Sequence, residues 1–209
     1  MLVVGLTGGV ASGKTTVSEI LREEGAYLID ADQIARQLVQ PHTATWHELR
    51  KAFGNDMFDE SGFIQRKKLA ARVFSDLNQR KVLNQILHPR IRKAIRDRLK
   101  EIGDKDPRAI VVVDAALLVE TGEHREMDSV IVVASRPGEQ IERLKKRDGV
   151  EEEQARNILA SQMPLEEKLK VADFIIRNEG SLEETTKRAR EVFHELKKTA
   201  LERGEAARF

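Results

Sequence analysis

The sequence of 209 residues contains no cysteine, which excludes a disulfide framework, a thiol nucleophile and any zinc site built on thiolates. Aromatic residues are scarce, at 4% of the chain. Neither sign of charge dominates, since 36 Lys and Arg residues are balanced by 35 Asp and Glu residues. A broad nucleic-acid-binding surface needs a basic excess, so we expect no nucleic-acid partner. The balance still allows a small basic pocket for a phosphate-bearing ligand.

Long apolar runs are absent as well. The apolar start of the chain, Met1–Leu6, is interrupted by Gly5 and ends at Gly8-Gly9, which is too short for a signal-peptide core or a membrane span. We therefore expect a cytoplasmic protein without membrane attachment. We also expect a monomer or a weak homo-oligomer. The length predicts one domain, or one core with insertions.

Five segments have the pattern of buried strands. The third and fourth are near-continuous runs of Val, Ile and Ala, which is typical of strands covered on both faces. Helical stretches separate the strands, and this alternation predicts a parallel α/β sheet. The predicted strands are Leu2–Thr7, Ala26–Asp30, Ala109–Asp114, Ser129–Ala134 and Ala172–Arg177. Among the helices, Thr15–Glu24 should end at Gly25, and Ser181 with Glu184 should form a capping box.

Two segments interrupt the alternation, which leaves 1–30, 108–136 and 163–209 as the predicted core. Residues 31–107 contain no convincing strand, and we interpret them as a helical insertion whose small core includes Trp46. A helix carrying Ile91, Ile95, Leu99 and Ile102 should end at Gly103, and Pro89 is interpreted as a turn proline. Residues 137–162 are highly charged and predict a mobile lid of two helices, broken at Asp148-Gly149.

The strongest functional signal is Gly8–Thr15, which fits the P-loop pattern G-x-x-x-x-G-K-[ST]. Its glycines let backbone N–H groups converge on phosphate oxygens, and the next helix adds its positive N-terminal dipole. Lys14 would reach the β- and γ-phosphates, and Thr15 would offer a hydroxyl to Mg²⁺. The motif follows a predicted strand and opens a predicted helix, which is the context that phosphate binding requires.

Acidic residues end two of the predicted strands, where ligands bind in open α/β sheets. Asp30 and Asp32 follow the second strand, and Asp114 ends the third after a Walker-B-like run. Asp32 would accept the proton of an attacking hydroxyl, or it caps the following helix. Asp114 would hold Mg²⁺ through water, or it is a strand-end acid facing a turn.

Arginines in the predicted lid are the remaining candidates. Arg143 and Arg147 lie four residues apart and share a helix face, and Arg156 follows in the second lid helix. Guanidinium groups that close over a transferring phosphoryl group accelerate such reactions, whereas the alternative is a solvated charged face. His88 precedes a proline, and on residue type alone it is structural or capping more often than a ligand.

Some P-loop classes are excluded. The chain has no [NT]-K-x-D guanine-recognition motif and no L-S-G-G-Q motif, and it is short for a helicase. A small core with an insertion after the second strand and an arginine-bearing lid favours a kinase for a nucleotide or small metabolite. The sequence further resembles the dephospho-CoA kinase family over nearly its whole length, in Gly5–Thr16 (GLTGGVASGKTT), Asp30–Arg36 (DADQIAR), His88–Ile91 (HPRI), the lid residues Arg143, Arg147, Arg156 and Gln162, and Ala172–Ser181 (ADFIIRNEGS).

The resemblance implies ATP-dependent phosphorylation of the ribose 3′-hydroxyl of dephospho-CoA, with Mg²⁺, on a P-loop NTPase fold of three layers and sheet order 2-3-1-4-5. Residues 31–107 would bind the acceptor. Asp32, Lys14, Arg143 and Arg147 would be catalytic. The implied contacts are Gly9, Ala11, Ser12, Gly13, Lys14, Thr15, Thr16, Arg143 and Arg147 for ATP, Thr7, Asp32, His88, Arg90 and Leu117 for the acceptor, and Thr15 with Asp114 through water for the metal.

Ala116 and Val119 depart from the family pattern, which commonly has Pro and Phe there, so the local shape of the acceptor pocket should differ. Two other functions stay open. One is a P-loop kinase for another small hydroxyl acceptor, such as a nucleoside or a sugar acid. The other is a non-catalytic nucleotide-binding regulator, although nucleotide binding alone does not require Asp32, Arg143 and Arg147.

Overall fold

The computed structural model describes residues 1–206. Its centre is a parallel five-stranded sheet of order β2-β3-β1-β4-β5, which confirms the fold class. The strands start up to two residues later than predicted, and β1 runs one residue further. The strands are β1 (Leu2–Gly8), β2 (Tyr27–Asp30), β3 (Ile110–Asp114), β4 (Ser129–Ala134) and β5 (Phe174–Arg177).

Helices connect and cover the strands. The described residues also form 3₁₀ turns at Asn55–Met57 and Glu123–Glu126. No helix within residues 1–206 is long and apolar enough to cross a membrane. The helices are α1 (Lys14–Glu23), α2 (Ala31–Leu38), α3 (Ala44–Phe53), α4 (Arg66–Ser75), α5 (Leu77–Lys105), α6 (Pro137–Asp148), α7 (Glu152–Ala160), α8 (Leu165–Leu169) and α9 (Leu182–Ala206).

The chain divides into two compact units. The first comprises residues 1–30 and the chain from Glu101 onward, and contains the whole sheet. Its core joins inward-facing strand residues such as Leu6 and Ile131 to Val17 of α1 and Phe193 of α9. The predicted capping box opens α9, because the Ser181 amide donates to Glu184 at 2.9 Å and the Glu184 amide donates to Ser181 Oγ at 3.2 Å.

The second unit comprises Ala31–Lys100 and is built from helices around a small apolar core. Trp46 is buried in that core beside Leu49, Phe53 and Met57, as predicted, and its indole N–H donates to the Gly62 carbonyl at 2.6 Å. This bond satisfies the one polar atom of the indole, so the ring can be buried in full.

The predictions for Pro89 and Gly103 were wrong, because both residues lie inside α5. Proline removes the helix hydrogen bond to the carbonyl four residues before it, yet the 29-residue helix continues through Pro89. Glycine in a helix costs only about 1 kcal/mol. A Cβ at Gly103 would lie 3.4 Å from the sulfur of Met1, which is an ordinary van der Waals contact. Neither residue therefore ends the helix, which continues to Lys105.

Candidate active site

The loop between β1 and α1 has the curvature of a phosphate cradle. Ala11 and Gly13 both adopt left-handed backbone angles, with φ of +54° and +90°. The Ser12 amide donates back to the Gly9 carbonyl at 3.1 Å, which closes a tight turn. Alternating right- and left-handed residues point successive N–H groups into one concavity that binds anions. The predicted P-loop therefore has the backbone shape that its chemistry requires.

Side chains from outside the loop hold its carbonyls. Asn178, just after β5, donates to the Ser12 carbonyl at 2.8 Å and accepts from the Thr185 hydroxyl at 3.0 Å. Arg143 of α6 donates to the carbonyls of Ala11 at 3.2 Å, Ser12 at 3.3 Å and Asn178 at 2.9 Å. With its carbonyls bound on the outside, the loop keeps its N–H groups turned inward. Arg143 therefore supports the cradle directly.

Lys14 and Asp114 form an ion pair at the edge of the cradle. Asp114 ends β3 and is almost fully buried, and its register partner on β2 is Asp30. Burial raises the pKa of the Asp114 carboxyl, against the Lys14 ammonium, which lowers it, and Asp30 adds to the rise. Lys14, the phosphate-binding residue of a P-loop, thus contacts Asp114, which was predicted to hold Mg²⁺ through water.

The loop after β3 is anchored through one carbonyl. The Ala116 carbonyl accepts hydrogen bonds from the buried Thr7 hydroxyl at 3.1 Å and from Lys168 Nζ at 3.0 Å. Lys168 belongs to α8, is 1% exposed, and also pairs with Glu120 at 2.7 Å. Leu117, by contrast, is more than half exposed. Leu117 is therefore presented on a loop whose backbone is fixed from two sides.

The hairpin of α6 and α7 packs directly on the P-loop. Ile141, Leu144 and Ala155 form a small core, and Val10 and Ala11 of the loop pack against it. Gly149, with φ of +65°, ends α6 at the predicted break. Arg147 is exposed and pairs with Asp148 at 2.8 Å, which raises the pKa of Arg147 and lowers that of Asp148. Arg156 pairs with Glu152 at 2.6 Å.

The second unit contains the remaining predicted residues in separate places. Asp32 lies in the first turn of α2, where the helix dipole favours a carboxylate, and lines a cavity of about 300 Å³. Arg36 and Arg66 line the same cavity over an apolar floor that includes Leu83. His88 is half-buried in α5. Arg90 pairs with Glu48 and lines a second cavity, of about 510 Å³.

In the first unit, the structure thus brings together Thr7, Gly9, Ala11–Thr16, Asp114, Leu117 and Arg143, while Arg147 lies one turn of α6 further on. Two of the side chains that hold this site, Gln140 and Lys168, were not predicted from the sequence. Gln140 is buried and contacts the loop, and Lys168 is among the largest fully buried side chains within residues 1–206. Gln140 lies three residues before Arg143, so helix spacing could have indicated it. Lys168 carries no such signal, because charged neighbours surround it in the sequence.

A parallel sheet of this order, with a phosphate cradle after its first strand and an ion-paired lysine at the cradle's edge, defines a P-loop kinase fold. Comparison with known proteins gives the family. The family model for dephospho-CoA kinase matches residues 2–184. A dephospho-CoA kinase of Syntrophotalea carbinolica is 43% identical over 88% of this chain and 87% of its own. One of Corynebacterium glutamicum is 40% identical over 94% of this chain and 98% of its own.

Solved structures agree with this match. The crystal structure of a Thermus thermophilus protein has a TM-score of 0.81 at 32% identity and covers 93% of this chain and 97% of its own. A dephospho-CoA kinase from Campylobacter jejuni has a TM-score of 0.69 at 28% identity and covers 94% of this chain and 98% of its own. The chain belongs to the dephospho-CoA kinase family.

Proposed function

We propose that this chain transfers the γ-phosphoryl group of ATP to the ribose 3′-hydroxyl of dephospho-CoA, giving coenzyme A and ADP. The observation that carries the proposal is the family match over residues 2–184, together with the P-loop cradle that it contains. Family membership supports the acceptor, and the cradle supports the donor.

The cradle would bind the ATP phosphates through the backbone amides from Ala11 to Thr16, with Gly9 at its entrance. Lys14 would exchange the Asp114 carboxylate for phosphate oxygens. Arg143 would keep the amides aligned through the carbonyls it binds. Preorganised donors of this kind stabilise the charge that develops on a transferring phosphoryl group, because they need no reorganisation during the reaction.

Mg²⁺ fits the donor set of this site. Thr15 is exposed in the first turn of α1 and offers a hydroxyl. Asp114 contacts Lys14, the residue before Thr15, and offers a carboxylate. Oxygen donors of these kinds are the ligands that Mg²⁺ prefers. Within residues 1–206 no group of three or more His, Cys, Asp or Glu side chains is arranged to hold a metal ion. We therefore propose that Thr15, with Asp114 through water, holds the ion together with the nucleotide. Mg²⁺ would supply neutralisation of phosphate charge.

The acceptor would use the insertion and the loop after β3. Asp32 would accept the proton of the 3′-hydroxyl, and the cavity that it lines offers arginines for phosphate and an apolar floor for the rest of the molecule. Thr7 and Leu117 would contribute through the anchored loop. His88 and Arg90 would also contact the acceptor, and Arg90 would do so from a different cavity than the one that Asp32 lines.

The α6–α7 hairpin would act as the lid. Arg147 is exposed, and its ion pair with Asp148 is weak enough to be exchanged for another contact. It would therefore contact the phosphoryl group in transfer when the acceptor is present. Exclusion of water from that group matters because water competes as an acceptor. A cytoplasmic location and a monomeric or weakly homo-oligomeric state remain predictions from the sequence.

The direct test is ADP release from Mg·ATP with and without dephospho-CoA, beside a panel of nucleosides and sugar acids. We expect strong stimulation by dephospho-CoA alone, with coenzyme A identified by mass. Stimulation by another acceptor would retain the kinase and overturn the acceptor assignment. Nucleotide binding without stimulation by any acceptor would favour the regulator.

A further inference from the structure

Both backbone groups of one P-loop residue are held by glutamine side chains. The Val10 amide donates to Gln162 Oε1 at 2.7 Å, and the Val10 carbonyl accepts from Gln140 Nε2 at 2.7 Å. Gln140 lies in α6 and is buried, and Gln162 follows the end of α7 by two residues. Helix α6 and the segment that follows α7 therefore each contribute one hydrogen bond to Val10.

Gly9 makes room for this arrangement. A Cβ at Gly9 would lie 2.6 Å from Gln140 Nε2 and 3.9 Å from Gln162 Oε1, so a larger residue would displace the first amide. The Val10 side chain meanwhile packs in the hairpin core with Leu144 and Ala155. Backbone and side chain of Val10 are thus both fixed by the hairpin, one residue before the amides that face the cradle.

We infer that Gln140 and Gln162 are positioning residues for the nucleotide. They fix the two peptide planes on either side of Val10, and through them the direction in which the amides from Ala11 onward point. Gln162 also occupies the Val10 N–H, so the cradle proper starts at Ala11. The cradle has its phosphate-binding geometry only when α6 and the segment after α7 both make their hydrogen bonds to Val10. The inference rests on the proposed function only in taking ATP as the ligand.

The two glutamines use opposite ends of the same chemical group, and this gives a matched test. Gln162 accepts a hydrogen bond, and a glutamate there keeps an acceptor. Gln140 donates one, and a glutamate there places a carboxylate against the Val10 carbonyl. Both substitutions add the same charge beside Val10, and because residue 140 is buried and residue 162 is half-buried, their difference reports the hydrogen bond together with the cost of burying the charge at residue 140. Gln154→Glu adds that charge on the exposed face of α7 and is the control for charge alone.

The primary measurement is the dissociation constant of Mg·ATP by calorimetry. We expect Gln140→Glu to weaken binding about tenfold more than Gln162→Glu, because leaving a buried acceptor unpaired has about that cost. Gln162→Met, which removes the acceptor, should weaken binding about tenfold relative to the unmodified chain. Gln154→Glu should leave it unchanged. The KM for the acceptor should stay constant throughout, whereas the KM for ATP follows the dissociation constant.

A pH series adds a readout that a merely structural role would not change. Protonation gives the carboxyl in Gln140→Glu a donor again, and burial favours the protonated form, so its deficit should shrink as the pH is lowered from 8 to 6. Glu166 and Lys168 line the cavity beside Gln140, and Arg143 lies one turn along α6, but these groups are common to every variant. A recovery confined to Gln140→Glu therefore belongs to the introduced carboxyl.

Two outcomes would overturn the inference. One is equal weakening by Gln140→Glu and Gln162→Glu, and the other is a lower melting temperature with unchanged affinity for Mg·ATP, which would make the glutamines structural only. These readouts use nucleotide binding, so they remain interpretable if dephospho-CoA fails as the acceptor. Failure of the proposed function and failure of this inference are therefore distinguishable.

Discussion

The P-loop region and the insertion hold their polar groups in different ways. Around the P-loop, backbone carbonyls and amides are bound by side chains from α6, from the end of α7 and from the segment after β5. In the insertion, Asp32, Arg36 and Arg66 are exposed side chains around a cavity. The first arrangement is fixed by the fold itself, and the second leaves side chains accessible to a ligand. Substitution of a side chain that holds the P-loop backbone should therefore change stability and activity together, and substitution of an exposed cavity residue of the insertion should change activity alone.

Lys14→Ala is expected to have the largest combined effect, because it should lower both activity and stability. The variant loses the phosphate-binding cation, and loss of one preorganised donor typically costs about 10²–10³ in kcat. It also leaves the buried Asp114 carboxylate without its partner, so the melting temperature should fall as well. Steady-state kinetics and thermal melting check both parts. A near-normal kcat would mean that Lys14 takes no part in phosphoryl transfer.

Asp32→Asn tests the insertion side of the comparison. A lost general base lowers kcat by about 10²–10⁴, while nucleotide affinity and melting temperature should stay close to normal because Asp32 is exposed. Kinetics with both substrates varied give the answer. A change in KM without a change in kcat would make Asp32 a binding or capping residue.

Arg143 and Arg147 sharpen the comparison within one helix. Arg143→Ala strips donors from three carbonyls, so the melting temperature should fall by about 2–10 °C and ATP affinity should fall with it. Arg147→Ala removes an exposed pair worth about 0–1 kcal/mol and should leave the melting temperature nearly unchanged.

For Arg147→Ala we expect kcat to fall about tenfold to a hundredfold, less than the loss measured for arginine fingers. Melting curves and single-turnover rates of the two arginine variants, measured side by side, separate support of the cradle from contact with the phosphoryl group. Equal losses of melting temperature would contradict the distinction between them.

The smallest expected effect concerns pH and Asp114. Its pKa is raised in the folded protein by burial, so the folded chain holds this proton more tightly than the unfolded chain. The contribution of Asp114 to stability is therefore greatest at low pH and is lost as the pH rises through its ordinary pKa of about 4 and then through the raised pKa. Asp114→Asn should remove this dependence.

Melting temperatures of the unmodified chain and of Asp114→Asn, measured from pH 4 to pH 7, check the sign. The difference, variant minus unmodified chain, should become more positive with rising pH. A difference that falls with pH would mean that the attraction of Lys14 exceeds the effect of burial.

Local sequence predicted the parts of the molecule that depend on local physics. Runs of Val and Ile specified the strands, and the glycines of the P-loop specified its turn, because burial and backbone freedom are properties of the residues themselves. Pro89 and Gly103 were misread because each costs only about 1–3 kcal/mol in a helix, and the packing of Leu83, Ile86 and Leu87 of the same helix in the insertion core can offset that cost. The burial of Lys168 could not be predicted, since its partners Glu120 and Ala116 are about fifty residues away in sequence.

The anchoring of the loop after β3 has a consequence for how this chain can vary. Thr7 and Lys168 both bind the carbonyl oxygen of residue 116, and every amino acid supplies that oxygen. Alanine in place of the proline common in the family therefore keeps the anchor unchanged. Variation at residue 116 therefore leaves both hydrogen bonds possible, whereas variation at residue 7 or 168 removes one of the donors. The departure at Ala116 thus leaves Leu117 on a loop that is anchored from the same two sides.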